Sequence, residues 1–356
     1  MLDKSRKKKS SIDEDLERLL ETKRAVIKVV GTGGSGNNTI TRLMQVGIVG
    51  VETIAMNTDA QDLLYADADK KVLLGKEITS GLGAGSDPKI GEEAAKESKN
   101  DIKKVLEGSD MVFISCGLGG GTGTGSAPVI ADIAKKMGAL TVAVVTFPFS
   151  MEGKQRMKNA LSGLEKLEKI VDTLIVIPND KLLEVVPDVS LTTAFKVADE
   201  ILVNAVKGIA ELVTKPGLVN LDFADVKAVM TNGGLAMIGL GESDTENRAL
   251  EAAEKALNNP MLDIDIEDAD GALINITGGP GITIKECQEI VERVTERLNE
   301  NAKVIWGAQI EKGLGDTIRA MVIITGIKNA VEPTEGEVKK ERKKEIEKIL
   351  GIDFLD

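Results

Sequence analysis

The chain has 356 residues, with 57 acidic against 45 basic side chains for a net charge of -12, no histidine and 2 cysteines. Without histidine there is no Ser-His-Asp or Cys-His catalysis and no histidine metal triad, so proton transfer near neutral pH falls to carboxylates, lysines, bound water or the substrate. The length predicts two domains, the aromatic content of 2% predicts a core of Ile, Val, Leu, Ala and Met, and the acidity argues against a broad nucleic-acid footprint.

Residues 1–24 combine the basic cluster Lys4, Arg6, Lys7, Lys8 and Lys9 with Ile12, Leu16, Leu19 and Leu20 at helical spacing, which predicts an arm followed by a short helix. From residue 25 onward, apolar runs at 25–30, 53–57, 111–115, 140–146 and 174–177 lack the alternation of a half-exposed strand. They read as strands of a parallel sheet covered on both faces, separated by helices such as 90–104 and 127–136. Over 191–214 the residues Ala198, Leu202, Ala205, Ile209 and Leu212 recur every three or four positions, predicting one long helix.

Beyond residue 220, helical patterns at 224–230, 248–257 and 284–298 and strands at 272–276, 303–310 and 317–325 describe a smaller α/β domain. The segment 332–348 is balanced in charge and nearly free of apolar residues, as expected of a linker. It ends in an apolar burst at 349–356. Cys116 and Cys287 lie in unlike contexts, so no disulfide is expected and the cytoplasm is the natural compartment. No apolar run is long enough to span a bilayer, and the charged amino terminus is unlike a secretory signal.

Four segments carry chemistry. Gly31-Thr32-Gly33-Gly34-Ser35-Gly36-Asn37-Asn38 follows a strand and precedes a helix expected to begin near Thr39. Backbone amides at such a turn, with the partial positive charge of a helix start, suit a phosphate. The same residues satisfy G-x-G-x-x-G, so an NAD-dependent dehydrogenase is a rival reading. Gly119-Gly120-Gly121-Thr122-Gly123-Thr124-Gly125-Ser126 repeats the arrangement before a helix expected from Ala127, with five glycines in seven residues that a polyphosphate would organise.

A third glycine turn, 81–86, reads as another strand-to-helix loop able to converge on the same anion. No G-x-x-x-x-G-K-[ST] is present, which removes the P-loop class. Finally, Asn220-Leu221-Asp222-Phe223-Ala224-Asp225 places two carboxylates three residues apart at a helix start, either as a cap or as a pair that polarises an attacking water.

The three glycine loops together with the Asn-x-Asp-x-x-Asp segment resemble the tubulin/FtsZ superfamily in the expected order from about residue 25 to 327, with 119–125 similar to its signature loop and 216–225 to its synergy loop. The resemblance implies a tubulin/FtsZ fold of class α/β. It would comprise an amino-terminal arm (1–24), a Rossmann-like GTP-binding domain with a parallel sheet (25–190), a central helix (191–215), a carboxyl-terminal α/β domain that activates GTP hydrolysis (216–330), a charged linker (331–348) and a partner-docking tail (349–356).

It further implies a GTPase that polymerises head to tail into the cell-division ring at mid-cell. Gly33, Gly34, Ser35, Gly36, Asn37 and Asn38 with Gly120, Gly121, Thr122, Gly123 and Thr124 would hold the α- and β-phosphates, and Ala84, Gly85 and Ser86 would lie near the γ-phosphate. Glu152 and Arg156 fall where the family contacts the ribose and nucleotide. Asn179, Phe195 and Asp199 fall in its guanine pocket, Phe195 stacking on the base and Asp199 accepting from both donors of the guanine edge.

Given a helix rising about 1.5 Å per residue, Asp222 and Asp225 stand at least about 20 Å from that pocket and would act on the GTP of a neighbouring subunit, with Asn220 orienting the segment. Mg2+ is implied by phosphate chemistry, held mainly through phosphates and water. Ile352, Phe354 and Leu355 in the tail resemble the peptide that docks membrane-adaptor proteins. A tubulin-like cytoskeletal protein serving cell shape remains open beside the division role.

Overall fold

The structure is a computed structural model that describes residues 25–185, 190–215, 217–219, 221–262 and 266–327. The arm and helix expected over 1–24, Asn220, the linker 331–348 and the tail peptide with Ile352, Phe354 and Leu355 lie outside the described residues.

Six strands open the chain: β1 (Ile27–Thr32), β2 (Val51–Asn57), β3 (Lys70–Leu73), β4 (Met111–Gly117), β5 (Leu140–Phe147) and β6 (Thr173–Pro178). They lie side by side in the order β3-β2-β1-β4-β5-β6, and every adjacent pair is parallel. All eight residues of β5 and all six of β6 are buried, as befits strands whose two faces are both covered by crossover helices. Those helices are α1 (Gly33–Val46), α2 (Ala60–Tyr65), α3 (Lys76–Thr79), α4 (Pro88–Glu97), α5 (Lys99–Leu106), α6 (Thr122–Lys136) and α7 (Lys154–Glu168), followed by α8 (Asn179–Val185). The single helix expected over 90–104 is two, because Ser98, the cap between α4 and α5, turns to φ -86° and ψ 15° while its hydroxyl accepts from the Gly75 amide at 2.9 Å.

The long helix α9 (Leu191–Thr214) has the expected bounds. Ser190 starts it by accepting from the Thr193 amide through its side chain. After it come α10 (Phe223–Met230), β7 (Gly234–Ser243), α11 (Arg248–Leu257), β8 (Gly271–Gly278), α12 (Ile284–Thr295), β9 (Lys303–Ile310) and β10 (Ile318–Thr325).

Strand β7 carries no strand signal in the sequence because Gly239 and Gly241 interrupt it. Both are there for close approach: a Cβ on Gly239 would lie 2.1 Å from the Ala256 carbonyl oxygen, and one on Gly241 would lie 2.0 Å from that of Ala252. Helix α11 can rest on the strand only because these side chains are missing.

Strand β7 also joins the halves. Gly234, Leu235 and Ala236 pair in parallel with Thr173, Leu174 and Ile175 of β6, and Met237 to Ser243 then pair antiparallel with β10. The order continues β10-β8-β9, making one sheet of ten strands. Apolar packing crosses the junction as well. Leu202, Val206 and Ile209 of α9 share a cluster with Val29, Phe113 and Val142 on one side and with Leu273, Met321 and Ile323 on the other.

Candidate functional site

The strand order reverses between β1 and β4, which are neighbours in the sheet but belong to opposite halves of the winding. Ligands of open parallel sheets bind at such a switch point, beyond the carboxyl ends of the strands. The glycine loops follow these two strands. Neither is a loop leading into a later helix: α1 starts at Gly33, not near Thr39, and α6 at Thr122, not Ala127. The amides of each first turn have no partner within the helix and point outward, which is what an anion needs.

The two turns touch. Gly33 adopts a φ of +71°, and a Cβ there would lie 2.9 Å from the Gly123 nitrogen. The third glycine segment joins α3 to α4, helix to helix rather than strand to helix, yet it reaches the same place: a Cβ on Gly121 would lie 2.9 Å from the Ala84 Cβ. Asn159, on α7, ties the second and third segments, its Nδ2 donating to the Ser86 carbonyl at 3.3 Å and to that of Gly119 at 3.4 Å. No sequence signal singles out Asn159, since one polar residue on a helix has no pattern to stand out from.

Within this surface the residues divide by what they face. Asn37 is buried; its amide nitrogen faces the Gly31 and Met56 carbonyls at 3.2 Å and its oxygen faces Asn57 Nδ2 at 2.9 Å. Thr124 Oγ1 accepts from the Gly119 amide at 2.9 Å. Hydroxyl pairs join Thr58 to Thr122 and Thr32 to Ser126, each at 2.6 Å. These groups hold the turns in place. Gly34, Asn38, Gly85 and Ser86 are exposed, Ser35 and Thr122 are partly so, and the Cα of Gly120 faces open space.

A wall of side chains leads away from the glycine turns. The Arg156 backbone sits against Gly119, where an added Cβ would lie 2.9 Å from the Arg156 carbonyl oxygen. Arg156 Nε pairs with Glu152 Oε2 at 2.9 Å, and Glu152 Oε1 accepts from the Phe149 amide at 2.8 Å. Phe149, fully buried, meets Phe195 edge to face with centroids 5.3 Å apart. Phe195, the fifth residue of α9, keeps 40% of its surface exposed.

One turn further along α9, Asp199 has its carboxyl pushed up to about 6, first by burial and then by neighbouring Glu200. Glu200 itself is held by Arg42 Nε at 2.8 Å. Asn179 opens α8 and is buried, and its Oδ1 has no hydrogen-bond partner among the described residues. A buried orphan acceptor is rare enough to mark a place for a donor. Cys116, on β4 beneath the turns, is fully buried with its thiol pushed up to about 12 by desolvation, so it packs as a small apolar side chain.

At the far end of α9 lie the two aspartates. Helix α9 is 24 residues long, about 36 Å at 1.5 Å per residue. Asp222 is the N-cap of α10 and accepts from the Asp225 amide at 2.9 Å, while Asp225 Oδ2 accepts from the Asp222 amide at 3.2 Å. The pair thus forms a reciprocal capping box, with both residues exposed. The preceding segment is fastened to β9, the Leu218 amide donating to the Ala308 carbonyl at 2.8 Å. Among the described residues no group of three Cys, Asp or Glu side chains could hold a metal ion, and no helix is long and apolar enough to cross a membrane.

Glycine turns at the switch point, a carboxylate and an aromatic ring along a long helix, and a sheet carried on into a second half define a nucleotide-binding protein of tubulin type. Comparison with known proteins narrows the class. A model of the Tubulin/FtsZ family, GTPase domain, matches residues 26–187, and one of the FtsZ family, C-terminal domain, matches residues 234–328.

The Cell division protein FtsZ 1 of Thermococcus kodakarensis is 64% identical over 328 residues, covering 92% of this chain and 88% of that protein. The structure of an FtsZ dimer from M. jannaschii matches with a TM-score of 0.86 at 58% identity, over 92% of this chain and all of that one. CetZ2 from Haloferax volcanii, solved as a GTPγS-bound protofilament, shares the fold with a TM-score of 0.75 at 21% identity, over 91% of this chain and 99% of its own. The chain belongs to the FtsZ family and is a tubulin-like GTPase; the dehydrogenase reading is thereby set aside.

Proposed function

We propose that this GTPase assembles head to tail into the filaments of the cytoplasmic division ring at mid-cell, and that hydrolysis is completed only where two subunits meet. One observation carries the reading: Phe195 and Asp199 lie near the start of α9, whereas the exposed aspartates lie beyond its far end, in a helix about 36 Å long. A subunit with substrate at one end and catalytic carboxylates at the other can combine them only with a second copy, and a heterologous contact of that kind generates an open filament. Large apolar side chains left exposed beside the glycine turns (Leu64, Tyr65, Leu82, Met151) and beside the aspartates (Leu218) are consistent with ends that meet in an assembly.

In this reading the amides of 33–38 and 120–124 hold the α- and β-phosphates, and 84–86 approach the γ-phosphate. Phe195 stacks on guanine, the Asp199 carboxylate accepts from its ring NH and amino group, and the orphan Asn179 Oδ1 takes a further donor. Glu152 and Arg156 line the ribose. Asp222 and Asp225 of the adjacent subunit polarise the water that attacks the γ-phosphorus, with Asn220 orienting the segment; the bond to the β-γ bridging oxygen breaks, and GDP and phosphate leave. Mg2+, where bound, takes its oxygens mainly from phosphates and water and offsets the phosphate charge.

The division into a GTP-binding domain (25–190), a central helix (191–215) and an activating domain (216–330) follows the same logic, and Ile352, Phe354 and Leu355 dock a membrane adaptor. A relative named for cell division stands at 64% identity, which favours division over a role in cell shape. The decisive measurement is GTPase rate per molecule against protein concentration: a sharp onset above a critical concentration is expected. A rate independent of concentration would overturn the shared site.

A further inference from the structure

On the flank of the GTP-binding half, α4, the start of α5, α6, the end of α7 and the two residues after it enclose an open groove of about 600 Å³. Its floor is apolar: Pro128, Val129, Ile133 and Ile170, of which Val129 and Ile170 are partly exposed and rest on the core below the sheet. Its rim is basic, with Lys96, Lys99, Lys166 and Lys169 against Glu92 and Asp132.

Four lysines against two carboxylates leave a local excess of two positive charges in a chain whose net charge is -12. The carboxylates are already engaged: Glu92 is shared by Lys96 at 2.6 Å and Lys166 at 2.7 Å, and Asp132 is paired with Lys136 at 2.7 Å. Lys99 and Lys169 have no carboxylate partner among the described residues.

An apolar floor between two uncommitted cations fits a short peptide that interleaves large apolar side chains with acids. The chain contains one: Ile349-Leu350-Gly351-Ile352-Asp353-Phe354-Leu355-Asp356. We propose that residues 349–356 dock in this groove, their apolar side chains on Val129 and Ile170 and Asp353 and Asp356 against Lys99 and Lys169. The intervening residues 328–348 reach about 70 Å when extended, against a diameter of about 50 Å for a globular body of this size, so the peptide can reach the groove of its own subunit. The six acids and six bases of 332–348 cancel, leaving the acids of the peptide to decide the sign of the attraction. Exposed ion pairs contribute little to affinity and much to register, so the apolar contacts hold the peptide while the lysines place it. The inference stands apart from the adaptor reading, although an adaptor for the same peptide would compete with the groove.

The test uses a fluorescent peptide of residues 346–356 and fluorescence anisotropy. The chain ending at residue 348 should bind it saturably, and the full-length chain at least tenfold more weakly because its own tail occupies the groove. The double substitution Lys99→Glu, Lys169→Glu should weaken binding at least tenfold while GTP turnover, read in parallel, shows the protein intact. Phe354→Ala in the peptide, which leaves the folded chain untouched, should do the same. No saturable binding to the shortened chain, or affinity unchanged by both the charge reversal and the peptide substitution, would overturn the assignment.

Discussion

Asp199 occupies a position where its charge destabilises the free chain, a cost that the proposed contact with guanine would offset. Its carboxyl is raised from 3.8 to about 6 by burial and by Glu200, so the unfavourable contribution is fully present above about pH 6 and vanishes below about pH 4, where the folded and unfolded chains are both protonated. Asp199→Asn should therefore raise the melting temperature without nucleotide at pH 7.5, by an amount equivalent to about 1 kcal/mol after allowing for partial solvation, and the difference should close below pH 4.

Guanine binding should show the opposite dependence. The ratio of wild-type to Asp199→Asn affinity for GTP, measured by calorimetry, should fall as pH drops through about 6, because a protonated carboxyl no longer accepts from both donors. A ratio flat from pH 5 to 8 would remove Asp199 from the base edge. Asp199 and Phe195 are singled out in the sequence only by resemblance to a family, since one turn of an amphipathic helix looks alike whether it faces a ligand or a core. Asn159 was not accessible at all, because its role is to join two carbonyls brought together by folding.

Among the elements, α10 separates structural from chemical roles most cleanly. Asp222 caps it, and asparagine caps a helix as well as aspartate does. Asp222→Asn should keep the helix and the melting temperature within about 1 kcal/mol, yet slow GTP turnover in the assembled state by a factor of about 100 or more, the scale of a lost general base. Turnover near that of wild type would leave Asp222 a cap and nothing else.

Strand β7 makes the converse case. Gly241→Val would drive a side chain onto the Ala252 carbonyl, where even a Cβ lies at 2.0 Å, and should destabilise the chain by about 3 kcal/mol or more without touching the nucleotide turns. Denaturant unfolding measures this directly. The parallel strands were legible because their residues are apolar on both faces, and the glycine turns because nothing but a ligand or a close contact justifies five glycines in seven residues. Strand β7 was not, because the glycines that admit α11 read locally as turn signals. The starts of α1 and α6 lie about five residues earlier than the sequence suggests for the same reason: glycine reads as a helix breaker until an anion-binding first turn is recognised.

At the scale of the molecule, the separation of Phe195 and Asp199 from Asp222 and Asp225 follows from the length of α9, but the continuity of the sheet is not legible in the sequence. Composition divides the chain in two, whereas hydrogen bonding does not: β7 takes β6 as its partner for three residues and β10 for the next seven, and the cluster around α9 draws on strands from both sides. Unfolding followed by tryptophan fluorescence, from Trp306 on β9 in the second half, and by circular dichroism should therefore give one coincident transition. Two resolved transitions would show that the halves melt separately.

The change of partner along β7 also bears on how such a chain can be taken apart. A break between the two family-matched segments would bare a central strand edge on each fragment, β6 on one and β7 on the other, and would strip α9 of half the apolar side chains it packs against, so neither piece would be fit for water. The chain has no seam. Its GTP-binding half is therefore a poor candidate for a portable cassette, and genetic fusions or reporter insertions should be tolerated at outer loops such as 244–247 and not at the midline.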